Sequence, residues 1–258
     1  MRDRLPAIAL VAAILVAWEA YVRLAGIEPV LLPGPSRIAT ALWDFRADAV
    51  RHALPTIVET VAGFLIAVGL AVAAAVTMDR IPIVRRSLEP ILVTSQTIPV
   101  VAVAPLFLLW FGFGLLPKVL VVVLVTFFPI VIALLDGLGQ ASRDATDLLR
   151  SYGATDWQAF RKLRWPTALP SFFTGLRIAV VYAVIGAVFG EYVGAREGLG
   201  IWMQLAQNSF RTDLVFAAIV VTSAVSLVLY WLVGVIRRAT IPWAPGVRRE
   251  LDVEEQPF

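Results

Sequence analysis

Residues 147–170, DLLRSYGATDWQAFRKLRWPTALP, are the most polar long stretch of a chain that is otherwise mostly apolar. They carry charges of both signs, one glycine and two prolines near the end, with an apolar run on either side. Leu148, Leu149 and Tyr152 share one helical face, and Gly153 stands where a helix C-terminus takes a left-handed residue. Thr155 and Gln158 form the T-x-x-Q pattern of a capping box. The box starts a second short helix through WQAFRKL, with Ala159, Phe160 and Leu163 as its apolar face. Pro166 is expected to end that helix before the next apolar run. A helix–glycine–helix hook with one greasy and one charged face suits docking into a partner's groove better than it suits solvation.

Outward from the hook the chain reads as an all-α integral membrane protein. Of its 258 residues 59% are hydrophobic and 16% charged, and the mean hydropathy is +0.82. A soluble domain is about half apolar and about a quarter charged. The apolar surplus lies in six runs near the roughly 20 residues a bilayer requires. They are Leu5–Leu24, Leu54–Met78, Leu88–Phe111, Leu116–Asp136, Pro170–Gly190 and Leu214–Ile236. The runs are continuous rather than alternating, which excludes a barrel. No basic face alternates with aromatics outside a lipid context, so nucleic acid is not an expected partner. With no cysteine and only His52 as histidine, disulfides and Cys/His metal sites are excluded, and His52 reads as an interfacial polar residue.

Placing the N-terminus inside gives the inner segments about twice the Lys and Arg of the outer ones. Both termini are then cytoplasmic, as is the hook. Residues 1–53 read as an anchor helix, with MRDR as a basic start, followed by an external amphipathic segment that Ser36 of LPGPS caps. Residues 54–236 read as a five-helix core with its loop at 138–169, and 237–258 as a disordered tail. Trp18, Trp110 and Trp202 fall at the outer interface and Trp165, Trp231 and Trp243 at the inner one, as an aromatic belt.

Helices in lipid associate where small residues let backbones approach. Gly63, Ala67, Ala71 and Ala75 form one such face; Gly175, Ala179, Ala183 and Ala187 form another, with Gly186 and Gly190 beside it. The third run differs: Thr94–Thr97 is polar and Pro99 and Pro105 follow. Broken helices persist in membranes where protein or a water-filled cavity satisfies the freed backbone, so Ser95, Gln96 and Thr97 are candidates to line a pathway. Interhelical hydrogen bonding, at about 0.6 kcal/mol per contact, is the plainer role. Arg177 and Glu191 complete the candidate pathway set. Unpaired, Arg177 costs about 2.5–3.5 kcal/mol within a span, so it needs a partner, a cavity or a route to the inner headgroups. Glu191 caps the following loop, GAREGLG, or faces the substrate entrance.

The hook then resembles a known family. Glu-Ala-Ala, three residues, Gly, nine residues, Ile-x-Leu-Pro marks the membrane subunit of binding-protein-dependent ABC importers. Asp147, Leu148, Leu149, Gly153, Leu163 and Pro166 fall on that pattern, with Asp for Glu, Leu-Leu for Ala-Ala and Trp165 for the leucine before proline. LPGPS, QTIPVVAVAPLFLLWFGFG, FFPI, ALPSFFTGLR and GLG at 198–200 resemble the nitrate/sulfonate/taurine branch. EYVGAREGLG and RTDLVFAAIV look more like the members that carry thiamine-precursor pyrimidines or related vitamins.

The resemblance implies a type I importer permease fold with a coupling helix, in a bacterial inner membrane. It implies a second permease copy, two ATP-binding subunits that use ATP and Mg, and an external substrate-binding protein. Asp147, Leu148, Leu149, Tyr152, Gly153, Ala154, Thr155, Phe160, Leu163 and Pro166 would couple to the ATPase. The chain has no G-x-x-x-x-G-K-[ST] loop, so no cofactor is expected on it and ATP hydrolysis is expected elsewhere. A stand-alone secondary transporter or channel would want mid-depth carboxylates. Glu19, Glu59 and Asp136 lie instead near span ends.

Overall fold

The computed structural model describes residues 5–244, which are almost wholly helical. In chain order these are α1 (Leu5–Leu24), α2 (Pro35–Asp44), α3 (Arg46–Arg80), α4 (Pro82–Ser95), α5 (Val100–Phe111) and α6 (Leu115–Gly139). Then follow α7 (Arg143–Ser151), α8 (Asp156–Ala159), a π-turn (Phe160–Arg164), α9 (Trp165–Gly194), α10 (Leu199–Asn208) and α11 (Thr212–Thr240). The basic start MRDR and the part of the expected tail from 245 on lie outside the described residues.

Among the described residues five helices are long and apolar enough to cross a membrane, and a sixth crossing is the pair α4–α5, bent by 100°. That pair is a broken span, not a loop that returns to its own side. The C-terminal end of α3 sits at the hook, where Asp79 pairs with Arg164. The first turns of α6 lie at the opposite end, where Lys118 meets Glu59, so the chain between them has to cross. The break was legible in Pro99, and the third span expected over Leu88–Phe111 is divided there into α4 and α5. Its 3₁₀-like bonds, Thr97 N–H to Thr94 O at 3.0 Å and Ile98 N–H to Ser95 O at 3.2 Å, close α4 before Pro99 opens α5.

The centre of the molecule is α6 held between α3 and α9, and the small-residue faces do what their spacing predicts. Ala67, Ala71, Ala75, Ala179, Ala183 and Ala187 are all fully buried. A Cβ on Gly63 would lie 2.5 Å from Val122 Cβ, and one on Gly186 would lie 2.7 Å from Val125 Cγ2. Both α3 and α9 therefore approach α6 as closely as a missing side chain permits.

Four expectations are corrected. Pro166 does not end a helix. Trp165 N–H reaches back to Phe160 O in the π-turn, and this wider turn makes room for the proline ring, so α8 runs on into α9 as one rod, Asp156–Gly194. Ser36 is not the cap of the external helix. Gly34 is the N-cap residue, and Ser36 N–H and Oγ donate to the Glu19 carboxylate at 2.9 and 2.7 Å, which brings a negative group to the start of α2. Trp202 is no interfacial anchor; it is buried and stacks on His52 at 5.9 Å. The tail begins later than position 237: α11 continues to Thr240, and Ile241 and Ala244 are buried in the same core as Met78, Leu138 and Phe160.

Candidate functional site

The hook is built from local signals and then clamped to the body. Ser142 Oγ accepts the Ala145 N–H at 3.3 Å and starts α7. Gly153, at φ +83°, reverses the chain in a conformation that costs an L-residue roughly 1–2 kcal/mol, and Ala154 N–H closes on Leu149 O at 3.0 Å. The capping box is formed on both sides: Thr155 N–H donates to Gln158 Oε1 at 2.8 Å, and Gln158 N–H to Thr155 Oγ1 at 3.3 Å. Arg150 joins the two short helices, donating to Asp156 Oδ1 at 2.9 Å and to Asp147 Oδ1 at 3.3 Å. The Asp156 hydrogen bond raises the Arg150 pKa, so this clasp stays charged.

Leu148 and Tyr152, one turn apart, stand 57% and 83% exposed on the clasped helix. Asp147, Gly153 and Thr155 are also exposed, while Leu149, Ala154, Leu163 and Pro166 are half-buried. Phe160 departs from the expected docking set: it is buried in the protein's own core and stacks on Trp157 at 5.6 Å. Its neighbour Ala159 is buried as well, so this apolar face is turned onto the protein's own helices, with Arg80 5.0 Å and Trp165 6.0 Å from the Phe160 ring centre.

Residues outside the sequence-derived set fasten the hook to α3. Asp79, almost fully buried, accepts from Arg164 Nη2 at 2.6 Å, and the Arg80 guanidinium lies 5.0 Å from the ring centres of both Trp157 and Phe160. The signal in the sequence was the MDRIP end of the second span, an Asp-Arg pair at a helix terminus. Its partner lay 85 positions away and could not be read locally. The hook is therefore joined to α9 through continuous helix and to α3 through these contacts.

The candidate pathway residues divide. Ser95 and Gln96 face a cavity of about 420 Å³ with Val103, Leu124, Phe128 and Tyr182. No charged side chain lines it. Phe128 and Tyr182 carried no distinguishing sequence signal, being aromatic residues in apolar runs. Thr97 is exposed just beyond the cavity, its hydroxyl donating to Thr94 O at 2.7 Å. Arg177 is elsewhere: it lies against α11, with Cζ 4.6 Å from the Tyr230 ring centre. It stands at the α9–α11 contact, apart from the cavity that Ser95 and Gln96 face.

Glu191 also stands apart from that cavity. It is fully buried, accepts from Thr56 Oγ1 at 2.5 Å and Gly200 N–H at 2.6 Å, and so holds the first turn of α10 against α3 and α9. Of the two roles open to it, capping the GAREGLG loop is the one found. Gly198, at φ +139°, has no room for a Cβ beside the Glu191 carboxylate, and its N–H donates to His52 Nδ1 at 3.1 Å. Nearby, Lys118 Nζ reaches Glu59 Oε1 at 2.5 Å, with both side chains largely buried. Glu59 is thus committed to a fixed ion pair, and among the described residues no His/Cys/Asp/Glu group could hold a metal ion.

Comparison with known proteins agrees with this architecture. The family described as binding-protein-dependent transport system inner membrane component matches residues 66–242. The chain is 39% identical over 231 residues to the formylaminopyrimidine transport permease protein ThiX of Halalkalibacterium halodurans, covering 89% of this chain and 92% of that one. It is 37% identical over 232 residues to the riboflavin transport system permease protein RibX of Chloroflexus aurantiacus, covering 89% and 87%. To the taurine transport system permease protein TauC of Escherichia coli it is 28% identical over 239 residues, covering 90% and 87%. Among solved structures, an inward-facing MetNI methionine ABC transporter chain superposes with a TM-score of 0.61 at 21% identity, covering 78% of this chain and 97% of that one, a likeness of fold. The chain belongs to the binding-protein-dependent family: it is the multi-pass, non-catalytic permease of an ABC importer, served by a separate ATPase and a binding protein.

Proposed function

We propose that two copies of this chain enclose a pathway for a small, uncharged heterocycle, of the pyrimidine or flavin kind, delivered by the external binding protein. In this reading the hook and both termini face the cytoplasm, and each hook seats Leu148 and Tyr152 in a cleft of an ATPase subunit. Closure of the ATPase pair moves the hooks, and the rigid hook–α9 rod with its α3 contacts biases the membrane helices between two arrangements. ATP acts only through the difference in contacts it makes in those two states.

The cavity beside the broken span carries the substrate assignment. Gln96 offers an amide donor and acceptor, Phe128 and Tyr182 offer ring faces, and no cation is present to receive a sulfonate or nitrate. A bare anion brought from water into such a lining would be heavily penalised, whereas a neutral ring with edge nitrogens would be matched. The greater identity to the pyrimidine and riboflavin permeases than to the taurine permease supports the same choice.

The test is uptake by vesicles holding permease, ATPase and binding protein, with formylaminopyrimidine, riboflavin and taurine offered in turn. Gln96→Leu is expected to cut uptake of the transported ring compound about tenfold, the effect of losing roughly 1.4 kcal/mol of hydrogen bonding, with permease levels unchanged. Taurine transport, or reduced levels with normal uptake per molecule, would reject the assignment.

A further inference from the structure

Arg177 is placed in a span with no carboxylate to balance it. Its guanidinium lies over the Tyr230 ring at 4.6 Å, and its Nε is buried without an acceptor. It occupies the space that Gly234 leaves open on α11, where a Cβ would stand 2.8 Å from Arg177 Nη2. One turn further along α11, Arg237 also has a buried Nε without an acceptor. Neither arginine has an ion pair among the described residues. Side chains on a helix lean towards its N-terminus, so Arg177 leans towards the hook end of α9, the end to which Arg237 belongs. Arg177, against Gly234, and Arg237, three residues beyond that glycine, thus stand about one turn apart along α11 with no anion supplied by the described residues.

A groove begins at the Tyr230 ring that Arg177 covers. It has a volume of about 530 Å³ and runs between α9 and α11 past Tyr230, Leu227, Ser226, Ile185 and Val181. Arg177, Val181 and Ile185 are spaced four apart on α9, so the cationic head and the groove wall share one face. At its far end the Thr222 hydroxyl is already satisfied by Ala218 O at 2.8 Å. The guanidinium over Tyr230 thus stands at one end of a mainly apolar slot.

We propose that this site holds an anionic phospholipid of the hook-side leaflet, its phosphate between Arg177 and Arg237 and an acyl chain along the α9–α11 groove. Charge complementarity favours this occupant: a lipid phosphate supplies the missing acceptors and its chain fills the slot. A bound lipid would then stiffen the joint between α11 and the rod that carries the hook. The proposal rests on the reading that the hook faces the cytoplasm only for naming the leaflet, because lipid retention in detergent is independent of sidedness.

Native mass spectrometry of the detergent-purified permease–ATPase complex tests it, with phosphatidylglycerol and phosphatidylcholine of matched chains added separately, and inorganic phosphate as competitor. Phosphatidylglycerol is expected to be retained preferentially, and inorganic phosphate is expected not to displace it. Arg177→Gln and Arg237→Gln are each expected to lower retention about fivefold, the counterpart of about 1 kcal/mol per basic residue at an anionic surface. Arg177→Lys is expected to restore most of the loss. Arg237→Gln, near the end of α11, is expected to leave melting in lipid-free detergent unchanged, which separates loss of the site from loss of the fold. Equal retention of both lipids by wild type and variants would overturn the proposal, as would displacement by inorganic phosphate, which would mark a free-anion site. A groove closed by a second permease copy, with no lipid retained, would overturn it too.

Discussion

Aspartate at both Leu148 and Tyr152 is expected to abolish ATP-driven uptake while leaving the permease inserted and folded. Both side chains project from the hook, 57% and 83% exposed, so little of the protein's own packing depends on them. Substitutions at such positions change stability by about 0.5 kcal/mol or less. If they anchor the hook in an ATPase cleft, each behaves as an interface hot spot worth about 2 kcal/mol or more. Together, if additive, they lower occupancy of the docked state by roughly a thousandfold. Uptake and permease-stimulated ATPase activity in the same vesicles, against permease level, measure this. Normal stimulation by the double variant would remove the hook from the docking surface.

Lys118→Met is expected to be the most damaging single change at the other end of the molecule. It strands the Glu59 carboxylate, which is 3% exposed and whose second oxygen already lacks a partner. Breaking a buried pair from one side costs about 3–5 kcal/mol, whereas replacing both partners by apolar groups of similar size is often neutral. Membrane levels and the melting temperature of Lys118→Met should therefore fall sharply, and Glu59→Met/Lys118→Met should recover most of the loss. A double variant as unstable as the sum of the singles would mean that the two residues act separately, contrary to the 2.5 Å contact.

The contrast between these two sites reflects what could be read from sequence. Gly153, Thr155 and Gln158 act on backbone groups within four residues of themselves, so the hook's turn and its capping box were visible in local spacing. The small-residue faces of α3 and α9 were visible for the same reason, since helical periodicity alone creates them. Pro166 was misassigned because a regular helix was assumed where a π-turn lets the proline pass, and Phe160 because its apolar face meets the protein's own core and not a partner's groove. Arg177 and Glu191 were recognised as ionisable residues in unusual places. Their roles depend on Tyr230 and Gly234 in one case and on Thr56 and Gly200 in the other, partners set by tertiary packing. Phe128 and Tyr182 join the Gln96 cavity only once α4 and α5 fold at the break.

The coupling role of the hook is open to one direct measurement, helped by a chain that contains no cysteine. Tyr152→Cys, treated with a short thiol-reactive cross-linker in membranes containing the assembled importer, is predicted to join the permease to its ATPase subunit. The yield is predicted to change when ATP is trapped, and the cysteine is predicted to resist an impermeant maleimide applied from outside the cell. Labelling from outside, or a hook that never joins the ATPase in any nucleotide state, would contradict the account.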